Sequence, residues 1–213
     1  PFGNEEKVEE ALFQMMAGAL VILNDCNCAL AGGHTTMGSE LAFGLSVHGI
    51  AEREKLMQKG GMKPGEKLVL TKAVGTGTLF AADMRNQAKG TWVESAIETM
   101  VLSNYRAAQI LHAHGATACT DVTGFGLLGH LVEMLKASDA AATLNLEAIP
   151  ALTGSLDCMR SGIFSSLQPD NLRLRRAVKA SQSVSEDEKY PILFDPQTSG
   201  GLLASIPEDQ VES

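Results

Sequence analysis

A mixed architecture of strands and helices, α/β or α+β with helices packed on a sheet, is what this sequence predicts. Three observations predict it. Segments with apolar residues at helical spacing alternate with short β-type runs. Gly- and Pro-marked turns separate them. The 213 residues are 45% hydrophobic and 20% charged, the balance of an ordinary globular protein able to bury a core.

The elements follow in order. Val8, Ala11, Leu12, Met15, Met16, Ala19 and Leu20 recur at helical spacing, so residues 5–24 form an amphipathic helix. Gly32-Gly33 punctuates the chain, and residues 41–50 alternate as a strand does, with Leu41, Phe43, Leu45 and Val47 on one face. The charged stretch 51–65, with Gly60-Gly61 and Pro64-Gly65, marks a domain boundary. Residues 67–70 are a short strand. Gly75-Thr76-Gly77 opens a helix, and 92–114 reads as one long helix. Residues 116–122 are a strand, 126–137 a helix, 142–146 a strand, 149–156 a loop, and 172–181 a helix. Residues 192–194 and 201–206 are strands about a Gly-rich turn. The opening Pro1-Phe2-Gly3, without Met, reads as a piece of a longer protein.

Charge and cysteine content exclude several function classes. The net charge is −8 and the densest basic run is Arg173-Leu174-Arg175-Arg176. Nucleic acid and anionic membrane surfaces both demand a basic stripe. No segment has the roughly 18 apolar residues of a membrane span, and no signal peptide is visible. Cys26, Cys28, Cys119 and Cys158 fit neither zinc spacing nor a disulfide scaffold and read as reduced thiols in a cytoplasmic protein.

Four segments could carry chemistry. Thr120-Asp121-Val122-Thr123-Gly124-Phe125-Gly126 lies between a strand and a helix, where ligands gather in sheet proteins. Its Asp121 could hold Mg²⁺, or Asp121 and Thr123 could simply cap the helix. Asp195-Pro196-Gln197-Thr198-Ser199-Gly200-Gly201 is an anion-binding turn or a plain strand-entry turn. Gly32, Gly33, His34 and Thr35 could present N–H groups to a phosphate or merely stop a helix. Lys72 with Gly75-Thr76-Gly77 hints at phosphate without matching a phosphate-loop or dinucleotide fingerprint. His112 and His114 do not share a helix face and read as ordinary residues.

Taken together, and in this order, Leu30-Ala31-Gly32-Gly33-His34-Thr35, Phe43-Gly44-Leu45, Leu70-Thr71-Lys72 with Gly75-Thr76-Gly77, Thr120 through His130, and Asp195 through Leu203 resemble selenophosphate synthetase (selenide, water dikinase). Aminoimidazole ribonucleotide synthetase and hydrogenase maturation enzymes of the same superfamily share only looser forms of these motifs. The resemblance implies an α+β C-terminal domain over residues 56–213, preceded at 1–50 by the last helix and strand of an N-terminal ATP-binding and dimerisation domain. It implies selenide and ATP as substrates, Mg²⁺ held in part by Asp121, and nucleotide contacts from Gly32, Gly33, His34 and Thr35 in a homodimer. It places the family's catalytic Cys or selenocysteine, its neighbouring Lys and two further metal-binding Asp residues outside this chain, so no catalytic residue is expected within it. Ser165-Ser166-Leu167-Gln168-Pro169-Asp170-Asn171 departs from the Gly-Gly-Thr loop of many members and resembles a form fused behind an NADH dehydrogenase-like domain. Alternatives are another enzyme of the superfamily or a non-catalytic nucleotide-binding module.

Overall fold

The computed structural model describes residues 5–39 and 41–211; Pro1-Phe2-Gly3 therefore lies outside the described residues. The chain divides into two compact units, Pro1–Glu52 and Arg53–Ser213.

The first unit contains helix α1 (Glu5–Asp25), two glutamates in its first turn favouring the positive end of the helix dipole. None of its side chains is buried. Residues 41–50 form no strand and no other regular element, correcting the expectation of a strand there. Alternation makes a segment competent for a sheet; only a neighbour that accepts its hydrogen bonds makes it a strand.

The second unit is built on a three-stranded antiparallel sheet in the order β1 (Lys67–Leu70), β3 (Leu202–Ile206), β2 (Ala118–Asp121). Lys67 lies opposite Ile206 on one side, and Asp121 opposite Leu202 on the other. Helix α5 (Gly126–Ser138) packs on this sheet through Leu127, Leu131 and Met134, which meet Val122, Phe194 and Leu203 in the main core. A second cluster joins α2 (Thr76–Asp83), α3 (Gly90–Val101) and α6 (Ser155–Arg160) through Leu79, Ala82, Ala96 and Cys158.

Four expectations are corrected here. The helix over 92–114 is two, α3 and α4 (Tyr105–Ala113), broken where Leu102 turns extended. The Leu102 carbonyl there accepts a hydrogen bond from the Lys72 ammonium at 2.6 Å instead of continuing the helix. Residues 142–146 have no ladder partner, although Leu144 and Leu146 pack against the core. Tyr190–Phe194 is a 3-10 turn, not a strand; its Ile192 and Phe194 are fully buried, and a short apolar run does not distinguish the two. The helix expected over 172–181 is a 3-10 turn ending at Ala177.

Candidate functional site

β2 buries Ala118, Cys119 and Thr120 and leaves Asp121 exposed at its end. The chain then passes through residues 122–125 into α5. Gly126 has φ +70°, which an L side chain rarely adopts, and a Cβ there would stand 2.9 Å from the Asp195 carbonyl oxygen. No side chain caps α5, so neither Asp121 nor Thr123 performs the capping role that the sequence left open.

Other groups hold the loop. The Gly126 and Gln197 amides both donate to the Thr123 carbonyl, at 2.9 and 3.0 Å. Asn171 Nδ2 donates to the carbonyls of Gly124 and Phe194, at 2.9 and 3.0 Å. Thr123 Oγ1 lies 3.1 Å from His130 Nε2, one helical turn into α5. Asn171 belongs to the 165–171 segment, whose residues Gln168–Asn171 form one short helical turn; it is buried and supports the Asp121 loop. Its signal could not be found in sequence, because its partners are carbonyls 47 and 23 residues away.

The Asp121 carboxylate makes no hydrogen bond or ion pair of its own among the described residues, yet its charge reaches its neighbours. Burial holds the His130 imidazole below its ordinary pKa, against the upward pull of Glu133 and Asp121. Its Nδ1 is buried without a hydrogen-bond partner, 3.5 Å from Glu133 Oε2. Glu133 in turn accepts a 2.7 Å bond from Lys59, whose pKa that bond raises, with a smaller contribution from Asp121.

The Asp195-Pro196-Gln197 segment is internal bracing. Gln197 Oε1 accepts from the amides of Gly75 and Thr76, at 3.0 and 3.3 Å, and from Thr76 Oγ1 at 3.2 Å. The Gly77 amide donates to the Pro196 carbonyl at 3.0 Å. The start of α2 therefore has these three N–H groups satisfied within the protein, and the phosphate reading of Gly75-Thr76-Gly77 is withdrawn. Asp195 is fully buried and accepts from Thr78 Oγ1 at 2.7 Å and from Gln197 Nε2 at 2.9 Å. Burial pushes its carboxyl up to about 6 despite those bonds.

Gly32, Gly33, His34 and Thr35 lie in the first unit, in an irregular and exposed segment. A Cβ at Gly32 or Gly33 would meet nothing within 4 Å, so the chain's own packing does not require glycine there. Among the described residues no three His, Cys, Asp or Glu side chains cluster as a metal cage. A single exposed carboxylate nonetheless fits Mg²⁺, which keeps several waters and takes one or two carboxylates together with substrate phosphates.

Residues 63–212 match the family described as AIR synthase related protein, C-terminal domain. The chain is 35% identical over 203 residues to selenide, water dikinase of Caldanaerobacter subterraneus subsp. tengcongensis, covering 95% of this chain and 59% of that protein. It is 37% identical over 200 residues to the dikinase of Trichlorobacter lovleyi, covering 92% and 57%. The chain thus spans less than two thirds of the curated relatives it matches. Among solved structures, thiamine-monophosphate kinase from Stenotrophomonas maltophilia K279a superposes with a TM-score of 0.53 at 15% identity, over 76% of this chain and 46% of that one, a likeness of fold.

Proposed function

The chain belongs to the AIR synthase related protein family, C-terminal domain, and from that premise we propose that it is the C-terminal portion of a selenide, water dikinase. Such an enzyme makes selenophosphate from selenide and ATP, with AMP and phosphate as co-products. The observation that carries the reading is identity of 35–37% to two dikinases across more than nine tenths of the chain.

Phosphoryl transfer depends on positioning phosphates and neutralising their charge. In this reading Asp121 is one Mg²⁺ ligand, and bound Mg²⁺ supplies charge neutralisation at the phosphates. The protein's own work is to hold that carboxylate uncommitted at the end of β2. Asn171, His130 and the Gln197 amide do so by fixing the loop that follows it. Residues 1–50 are the end of an N-terminal ATP-binding and dimerisation domain, in which Gly32, Gly33, His34 and Thr35 contact nucleotide. The exposure of Phe13, Val21, Leu41 and Val47 supports burial of this unit against other protein, as in a homodimer. Residues 56–213 are the C-terminal domain. No helix of the described residues is long and apolar enough to cross a membrane, which is compatible with a cytoplasmic enzyme.

The test is ATP consumption against Mg²⁺ concentration in the full-length enzyme, beside thermal melting. Asp121→Asn is expected to lower turnover about tenfold or more while the melting temperature hardly moves, because the carboxylate holds nothing in the fold. Gly33→Val is expected to weaken ATP binding in a normally folded protein. Normal turnover by Asp121→Asn would remove Asp121 from the site.

A further inference from the structure

The Asp121 site does not account for Lys72. This side chain is 7% exposed, and its ammonium donates to two backbone carbonyls, Leu102 at 2.6 Å and Ser199 at 3.0 Å. No carboxylate pairs with it among the described residues, and burial alone holds its pKa below the ordinary lysine value. A lysine buried without a counter-charge is costly and rare.

The peptide run beside it is unusual in a matching way. Ser199 has φ +47° and the next two residues are glycines. Three successive carbonyls are tied to the protein: Ser199 by Lys72, Gly200 by Asn104 Nδ2 at 2.9 Å, and Gly201 by the Val122 amide at 2.9 Å. The amides of Ser199, Gly200 and Gly201 donate to no acceptor among the described residues; Ser199 is exposed, whereas Gly200 and Gly201 are buried, so their two N–H groups are buried donors without a partner. A trans peptide points its N–H opposite its carbonyl. Holding the Ser199 and Gly200 carbonyls on Lys72 and Asn104 therefore turns the amides of Gly200 and Gly201 the other way. The Lys72 charge lies at the negative end of the Ser199–Gly200 peptide dipole and reinforces its positive end. Consecutive free amides of this kind form an anion-binding concavity.

We propose that the 199–201 turn, backed by Lys72 and Asn104, is a phosphate subsite. Its ligand class is a phosphate group, free or carried on a nucleotide. It adjoins Asp121, since Leu202 is the register partner of Asp121 and the Gly201 carbonyl is bound by the very next residue, Val122. A phosphate here stands beside the metal position of the proposed dikinase, and in that respect the inference rests on that reading. Gly200 suits the turn for a packing reason as well, because a Cβ there would lie 2.1 Å from the Val122 carbonyl oxygen.

Inorganic phosphate is the probe, titrated without metal into the full-length protein labelled with ¹⁵N-glycine. The Gly200 and Gly201 amide signals are expected to move saturably, and a phosphate titration that leaves both in place overturns the proposal. Lys72→Gln, which keeps a donor and removes the charge, is expected to weaken this response about tenfold; an unchanged response in the folded variant overturns the role of Lys72. If Lys72→Gln fails to fold, Asn104→Asp carries the same expectation, since it removes the donor to Gly200 and adds a negative charge beside the turn. Asp121→Asn separates this proposal from the dikinase reading. It is expected to retain the metal-free response at Gly200 and Gly201 whether or not its ATP consumption falls, and loss of that response in the folded variant overturns an independent subsite.

Discussion

Asp195 shows how one buried residue can make stability depend on pH. Its carboxyl titrates at about 6 in the folded chain, above its ordinary 3.8, because burial outweighs the hydrogen bonds from Thr78 and Gln197. A raised acid pKa means that folding favours the protonated form. The contribution is complete below the unfolded value and is lost as pH rises from about 4 through about 6. Two pK units correspond to about 3 kcal/mol. Asp195→Asn cannot ionise, so it is expected to gain stability relative to the parent across this window and to run parallel to it above pH 7. Urea unfolding of both proteins from pH 4 to 8 measures this, and a constant difference would refute it. Nothing in the sequence marks Asp195 as buried: an Asp before Pro reads as a turn residue, and only its burial in the folded chain raises its pKa, against the hydrogen bonds from Thr78 and Gln197.

At the scale of elements, short-range pattern and long-range contact contribute unequally. The strands β1, β2 and β3 and the helices α1, α2 and α5 were legible, α1 from its apolar period and the others from short runs set between recognisable turn residues. The break between α3 and α4 was not, because it depends on Lys72 reaching Leu102 and on Asn104 reaching Gly200 across 96 residues. Helix α5 carries both the core and the Asp121 loop. Met134 on it is fully buried among the main core residues. Met134→Ala is expected to cost about 2–5 kcal/mol of stability by denaturant unfolding. A loss under about 1 kcal/mol would mean that the core closes over the gap.

For the whole molecule, the proposed function makes a simple demand. By resemblance, none of Cys26, Cys28, Cys119 and Cys158 is the family's nucleophile, and the chain spans 57–59% of the two dikinases it matches. Purified alone, residues 1–213 are expected to release no AMP from ATP in the presence of selenide and Mg²⁺, and steady AMP release would refute that. The sequence by itself determined the family, the positions of the three strands and the strand-to-helix position of Asp121, because motif strings and short β-type runs are local properties of the chain. It also carried Gly32 to Thr35 as a nucleotide segment, which remains a proposal. Only the tertiary structure decided that Asp121 caps nothing, that Gln197 occupies the amides at the start of α2, and that Lys72 is buried against the 199–201 turn without a counter-charge. These are facts about which distant group satisfies which backbone N–H or carbonyl, and residues far apart in sequence become partners only when the sheet closes.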